Sequence, residues 1–253
     1  MMKKILIAGA TGSMGRQTVQ LVENLPDCQL VAVLAPTASE SSDFKPAVAR
    51  FDNLAAVNIA ADIWIDFTTP QAVYENTKFA LKHHMHPIVG TSGLTSEQTK
   101  QLQELAKKEK IGGLIAPNFG LSAVLLMKFA QEAARYFPDA EVIEMHHADK
   151  KDAPSATAIA TAKVIAENRN SENCFKTTSD SKARGADYDG VPVHSVRLPG
   201  YIAHEQVLFG GSGEALTIRQ DSFSRSSFMQ GVKVAMSRVM DLTDLVVGLD
   251  QIL

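Results

Sequence analysis

Ile5-Leu6-Ile7-Ala8-Gly9-Ala10-Thr11-Gly12-Ser13-Met14-Gly15 is the stretch on which the fold turns. Four apolar residues run straight into glycines spaced Gly9-x-x-Gly12-x-x-Gly15. Residues 16–25 follow with apolar positions at Val19, Leu21, Val22 and Leu25, so the order is strand, glycine turn, helix. In that order glycines let the backbone approach a pyrophosphate, and the N–H groups at the helix start are left to hold it. The same residues also suit a plain tight turn with close helix packing. The register of strand, turn and helix favours the nucleotide site.

Outward from this stretch, apolar runs at 30–35, 63–67 and 86–90 alternate with helical patterns at 71–84 and 96–108. Strands alternating with helices predict a parallel, doubly wound sheet. After about residue 118 the pattern changes to a helix at 122–136, a strand at 141–147 and a helix at 155–168. The polar stretch 169–190 reads as a mobile loop. Runs at 193–198, 206–209 and 215–220 read as antiparallel strands separated by Leu198-Pro199-Gly200 and Gly210-Gly211-Ser212-Gly213. A last helix is expected at 226–240. The expected fold class is therefore α/β: a Rossmann-like dinucleotide-binding domain over 1–117, completed by 226–253. Inserted over 118–225 is an α+β substrate-binding domain with a mixed, largely antiparallel open sheet, and the active site is expected between the two.

Of the 253 residues, 45% are hydrophobic and 21% charged, which places the chain among globular proteins and excludes disorder. A net charge of -3 supplies no positive field for phosphate backbones, so nucleic acid is not an expected partner and a small molecule is. Cys28 and Cys174 form no CxxC or Cys/His cluster, so neither a disulfide framework nor a thiolate metal site is signalled. The opening Met1-Met2-Lys3-Lys4 leads into an apolar run too short for a signal sequence or a membrane span. A cytoplasmic location is the expectation.

The carboxylate that usually holds a ribose 2′-hydroxyl is missing where the second strand ends Leu34-Ala35-Pro36. Thr37, Ser39, Ser41, Ser42 and Lys45 follow and would suit a 2′-phosphate, whereas Glu40 opposes one. NADPH is slightly favoured over NADH. Asp66-Phe67-Thr68-Thr69-Pro70 and Gly90-Thr91-Ser92-Gly93 each follow a strand and so lie where a ligand crevice opens, although each also reads as a simple capped turn.

The densest polar cluster is Glu144-Met145-His146-His147-Ala148-Asp149-Lys150-Lys151-Asp152-Ala153-Pro154-Ser155-Ala156-Thr157. With Pro154 in the first turn of a helix, N–H groups near Ser155, Ala156 and Thr157 are expected to bind a carboxylate, assisted by the Thr157 hydroxyl. Lys150 would pair with that carboxylate or donate a proton, and His146 would exchange one near neutral pH. Neighbours on a strand face opposite ways, so His146 and His147 are not expected to chelate one metal. A solvated loop with one packed histidine is the plainer alternative. Tyr74-x-x-x-Lys78 copies a dehydrogenase spacing but lies too early in the chain, and reads as a helix-face pair. His83, His84 and His86 are read as closing a helix before Pro87. Neither Cys28 nor Cys174 is placed as a nucleophile.

These residues point to a family. The chain resembles the dihydrodipicolinate reductase family, the 4-hydroxy-tetrahydrodipicolinate reductases of diaminopimelate and lysine biosynthesis, nearly end to end. The resemblance rests on GATGSMG, DFTTP, GTSG, APNFGLSA from Ala116, EMHHADKKDAPSATA from Glu144, and VHSVRLPGYIAHEQVLFGGSGEALTIRQDSFSRSSF from Val193. It implies that His146 donates and accepts a proton, that Lys150 is a proton donor, and that His147, Ala156 and Thr157 hold substrate carboxylates. It places nucleotide contacts on Gly9, Ala10, Thr11, Gly12, Ser13 and Met14, on Gly90, Thr91 and Ser92, and on Ala116, Pro117, Asn118 and Phe119. The implied reaction is NAD(P)H-dependent reduction of a cyclic imine dicarboxylate with loss of water, in a homotetramer built through the substrate domain. The chain departs from the family at Ala156, commonly glycine, at Gln220, often histidine, and at the missing acid after the second strand. Other readings are a different NAD(P)-dependent oxidoreductase on this scaffold, such as an amino-acid or semialdehyde dehydrogenase, and a non-catalytic NADP-sensing protein, which Ala156 and Gln220 would motivate.

Overall fold

The computed structural model describes residues 2–170 and 182–253. In chain order the elements are β1 (Lys3–Ala8), α1 (Ser13–Glu23), β2 (Cys28–Leu34), β3 (Ala49–Phe51), β4 (Ile63–Asp66), α2 (Val73–Lys82), β5 (His86–Val89), α3 (Ser96–Glu109), β6 (Gly113–Ile115), α4 (Leu121–Ala134), β7 (Asp139–His146), α5 (Ala156–Asn168), β8 (Ala186–Tyr188), β9 (Val191–Arg197), β10 (Ala203–Gly211), β11 (Glu214–Ser222), α6 (Phe228–Arg238) and β12 (Leu245–Val247). They fall into two compact units, Met1–Phe119 with Phe228–Leu253, and Gly120–Ser227.

The first unit is a seven-stranded sheet in the order β12-β6-β5-β4-β1-β2-β3, with every pair parallel. Ile5, Leu6, Ile7 and Ala8 have no exposure, as a parallel strand covered on both faces requires. The order of strands reverses about β1, whose neighbours are β2 and β4, and in open α/β sheets ligands bind outside the carboxyl ends at such a point. The Rossmann-like parallel sheet expected from the glycine turn is present. β3, β6 and β12 were not expected, because three residues carry too little pattern to be seen. Helix α3 starts where predicted because Thr95 and Gln98 form a reciprocal capping box, with Thr95 Oγ1 accepting from Gln98 N and Gln98 Oε1 accepting from Thr95 N.

The second unit is a five-stranded sheet ordered β11-β10-β7-β9-β8, antiparallel except for the parallel pair β7/β9. Two expectations need correction. β9 and β10 are not neighbours, since β7 lies between them, so Leu198-Pro199-Gly200 does not close a hairpin. Of the three runs, β10 and β11 form one, through Ser212 and Gly213, the latter at φ +80°. Within 169–190, read as loop, Ala186–Tyr188 pairs with β9, while 171–181, including Cys174, lie outside the described residues.

Alternation along β7 puts Ala140, Val142, Glu144 and His146 on one face. Ala140 and Val142 pack with Val193, Val207 and Phe209 of the sheet, Leu126 and Ala130 of α4, and Ala158, Ala162 and Ile165 of α5. One register step further along β7 this face turns polar: Gln220, Glu205, Glu144 and Ser195 stand side by side on β11, β10, β7 and β9. A buried polar row beneath two helices carries a desolvation cost unless it is hydrogen-bonded, so its partners define the site.

Candidate active site

Glu144 is wholly buried near the end of β7 and is the hub of the row. Its Oε2 lies 2.5 Å from His146 Nδ1 and accepts from Arg197 Nη1 at 2.7 Å. Its Oε1 accepts from Arg197 Nη2 at 2.7 Å and from the Ser155 N–H at 3.2 Å. Burial pushes the Glu144 carboxyl upward, but hydrogen bonds from His146, Arg197 and Ser195 outweigh it and bring it down to about 2. Arg197 also donates to the Val196 and Asp152 carbonyls, both at 2.7 Å, and so clamps the loop after β7 against the strand. Bidentate pairing is the geometry in which arginine is strongest.

In that loop Lys150 Nζ donates to both Asp152 oxygens, at 2.7 and 2.8 Å. The Lys150 ammonium holds the Asp152 carboxyl below the usual range. His147 Nδ1 lies 2.6 Å from Asp149 Oδ1. Helix α5 begins at Ala156, and Ser155 is its N-cap, with Oγ accepting from the Ala158 N–H at 3.2 Å. This corrects the role given to Pro154, which precedes the cap. It also removes the Ser155 N–H from the groups expected to bind a ligand, because Glu144 takes it. Ala156 and Thr157 form the first turn of α5, where N–H groups have no acceptor within the helix. His146, His147, Lys150, Ala156 and Thr157 thus come together on one strand end, one loop and one helix start.

Opposite Glu144, Glu205 is buried with no partner for Oε1 among the described residues. Burial, aided by the Glu144 charge and opposed by a bond from Thr161, pushes its carboxyl up to about 7. Gln220 Oε1 accepts from Ser122 Oγ at 3.1 Å.

In the first unit, Gly9 adopts φ +79°, and a Cβ there would lie 2.2 Å from the Phe67 carbonyl oxygen. A Cβ on Gly15 would lie 2.1 Å from the Gly9 carbonyl oxygen. Gly12 is the N-cap of α1 and supplies no side chain to its first turn, which contains Ser13 and Met14. An anion approaching the α1 start at Gly12 therefore meets N–H groups with no capping side chain and no Cβ at Gly12, so the loop fits a nucleotide pyrophosphate. Ala10 is buried, and the Thr11 carbonyl accepts from Arg16 Nε at 2.9 Å. Gly90, Thr91 and Ser92 follow β5; Ala116, Pro117, Asn118 and Phe119 follow β6. Both segments leave carboxyl ends of parallel strands, on the same edge as the glycine loop. The Phe67 and Phe119 rings meet edge to face at 5.7 Å, and Gly90 is where they leave no room for a Cβ.

Several sequence readings shift. Ser39 Oγ donates to Asp52 at 2.5 Å and Lys45 pairs with Glu23 at 3.3 Å, so two groups offered for a 2′-phosphate are already engaged. Tyr74 and Lys78 do share a helix face, with Nζ 5.5 Å from the ring centroid, and the Tyr74 hydroxyl donates to Gln101. His83 alone caps α2, stacked on Phe79; His86 opens β5, and burial lowers its imidazole pKa. Burial also pushes the Cys28 thiol up, away from a reactive thiolate. Sequence reasoning missed Arg197 and the buried roles of Glu144 and Asp66. The period of two back from His146 to Glu144 was the available signal; Arg197 lies 53 positions on and gave none.

Residues 3–119 match the family model described as dihydrodipicolinate reductase, N-terminus, and 122–253 match its C-terminus counterpart. A 4-hydroxy-tetrahydrodipicolinate reductase of Lactobacillus helveticus is 61% identical over 259 residues, covering 100% of this chain and 99% of that protein. One from Streptococcus pneumoniae is 49% identical over 255 residues, covering 99% of each. A dipicolinate-bound dihydrodipicolinate reductase from Paenisporosarcina sp. TG-14 superposes with a TM-score of 0.92 at 46% identity, over 100% of both chains. A probable dehydrogenase from Thermotoga maritima, 11% identical with a TM-score of 0.67 over 98% of this chain and 91% of its own, shares the fold alone. The polar row, the glycine loop and the two matched models occur in one chain, and that chain belongs to the dihydrodipicolinate reductase family.

Proposed function

We propose that the chain reduces 4-hydroxy-tetrahydrodipicolinate to tetrahydrodipicolinate, with loss of water, in the diaminopimelate route to lysine. The observation that carries this reading is the clustering of His146, His147, Lys150 and the start of α5 around the buried Glu144–Arg197 pair, in a family of that activity. When bound, NADPH or NADH supplies the hydride, which goes to an electron-poor conjugated carbon of the cyclic imine. Gly9, Ala10, Thr11, Gly12, Ser13 and Met14 hold its pyrophosphate. Gly90, Thr91, Ser92, Ala116, Pro117, Asn118 and Phe119 line the rest of its site. The preference for NADPH rests on the missing carboxylate after β2 and on the hydroxyls of Thr37, Ser41 and Ser42, since Ser39 and Lys45 are engaged.

Lys150, His147 and the first turn of α5, at Ala156 and Thr157, orient the substrate's two carboxylates. Holding reacting groups in contact lowers the barrier by up to roughly 7–11 kcal/mol. His146 and Lys150 deliver the proton that completes reduction and neutralise charge as it develops. The nucleotide site belongs to the first unit and the substrate site to the second, which corresponds to a division of the chain near 1–117 with 226–253 and 118–225. The family resemblance supports a homotetramer, and the two unclustered cysteines fit a cytoplasmic enzyme; among the described residues no helix is long and apolar enough to cross a membrane.

The test couples the chain to a synthase that makes the substrate from pyruvate and aspartate semialdehyde, and follows NADPH and NADH absorbance. Oxidation on adding the protein is expected. Nucleotide binding without oxidation would overturn the reading in favour of a nucleotide sensor.

A further inference from the structure

We propose that Glu144 is the positioning residue for His146, holding its Nδ1 so that Nε2 is the atom that exchanges a proton with substrate. The inference rests on the assignment of His146 above and adds how that histidine is oriented. An ionised carboxylate only accepts hydrogen bonds. Glu144 already accepts the Arg197 fork on both oxygens and the Ser155 N–H on one, so its 2.5 Å contact with His146 requires the hydrogen on Nδ1. The neutral ring then has its lone pair on Nε2, and the charged ring has its transferable proton there.

The arrangement is rigid. Glu144 is wholly buried, and His146, two residues on, shares its face of β7. Arg197 faces His146 from β9 and is itself fixed by the Val196 and Asp152 carbonyls. The remaining groups facing Glu144 are Ser195 on β9 and Glu205 on β10, the latter bonded by Thr161 of α5. Glu205 is neutral below about pH 7, so the Glu144 charge is answered by Arg197 and by His146 rather than doubled. In the transfer, the Nε2–H bond of the imidazolium breaks and its electron pair stays on Nε2. The proton bonds to the substrate, and Glu144 remains an anion throughout.

The experiment compares His146→Ala, Glu144→Gln and Glu144→Asp in the coupled assay, with ¹⁵N spectra of the imidazoles. His146→Ala should lower kcat by about 100-fold or more. Glu144→Gln should lower kcat about tenfold or more while substrate KM and nucleotide Kd stay within about threefold, the signature of lost orientation. Glu144→Asp keeps a carboxylate acceptor and should recover part of the lost kcat and the Nδ1-protonated tautomer. The wild-type spectrum should show neutral His146 protonated on Nδ1, and Glu144→Gln should mix the tautomers. An unchanged kcat with an unchanged tautomer in folded Glu144→Gln overturns the proposal. So does wild-type His146 with Nε2 protonated and Nδ1 bare, which decides the matter if both Glu144 variants fail to fold. Full turnover in His146→Ala would instead sink the assignment of His146, independently of what the spectra say about Glu144.

Discussion

Glu144 and Glu205 face each other across the β7/β10 ladder, both buried, and their carboxyls are driven in opposite directions, to about 2 and about 7. Glu205 lies above its unfolded value of 4.5, so the folded chain holds the extra proton between those pH values. Its contribution is complete below pH 4.5 and is lost as pH rises through 7, a change of about 3 kcal/mol at most. Glu144 lies below 4.5, so its contribution is complete above that pH and is lost as pH falls toward 2. Urea unfolding at pH 5 and pH 8 should show wild-type stability falling between them by up to that amount. Glu205→Gln should flatten the difference, whatever its absolute stability, and an identical fall in the variant would show that Glu205 titrates normally.

Asp66 ties the first unit's loops together. Its buried carboxyl accepts from Trp64 Nε1 (3.3 Å), Asn76 Nδ2 (2.9 Å), Thr68 Oγ1 (2.6 Å), Thr68 N (3.1 Å) and Thr91 Oγ1 (2.7 Å), and Thr68 N also reaches Thr91 Oγ1 (2.7 Å). Asp66→Asn turns one acceptor oxygen into a donor facing donors. It should cost about 1–3 kcal/mol in urea unfolding and weaken NADPH binding through the loop that carries Thr91. Unchanged stability together with unchanged affinity would mean that the loops are held by other contacts.

The legibility of this chain followed the range of each signal. The glycine turn was readable because strand, turn and helix are contiguous, and its Gly9 strain and Gly15 contact lie within a few residues. The chemical cluster was readable for the same reason, as one run from Glu144 to Thr157. What that run left out is long-range. Arg197 reaches Glu144 only because β9 pairs parallel with β7, and Glu205 faces it only because β10 inserts on the other side. The sequence's turn signals suggested that β9 and β10 were neighbours, and a strand order of that kind hides both contacts. β3, β6 and β12 failed on length alone.

Gly15 and Gly12 of the turn should separate by role. Gly15→Ala places a methyl 2.1 Å from the Gly9 carbonyl oxygen, where only backbone movement relieves it, so a large drop in Tm is expected. Gly12 is at φ -73°, and its Cβ would be 3.2 Å from the same oxygen, so Gly12→Ala should fold with a modest loss of stability. Its methyl would nevertheless sit at the uncapped start of α1, and NADPH affinity should fall tenfold or so, about 1.4 kcal/mol. Calorimetry with and without NADPH checks both, and tight binding by Gly12→Ala would move the pyrophosphate away from this helix.

Lys150 is held by the Asp152 carboxylate, yet its proposed partner is a substrate carboxylate, so the two compete for one ammonium. Asp152 has a 57% exposed side chain, and pairs of this kind are worth about 0–1 kcal/mol, so the internal partner is easily displaced. Lys150→Ala should lower kcat about 100-fold or more with NADPH affinity unchanged, because the lysine acts on substrate. Asp152→Asn removes the competitor and should tighten inhibition by pyridine-2,6-dicarboxylate by up to about fivefold. Weaker inhibition would mean that Asp152 aims Nζ at the substrate, which makes the ion pair part of the binding geometry. Loss of NADPH binding in Lys150→Ala would place the lysine on the nucleotide instead.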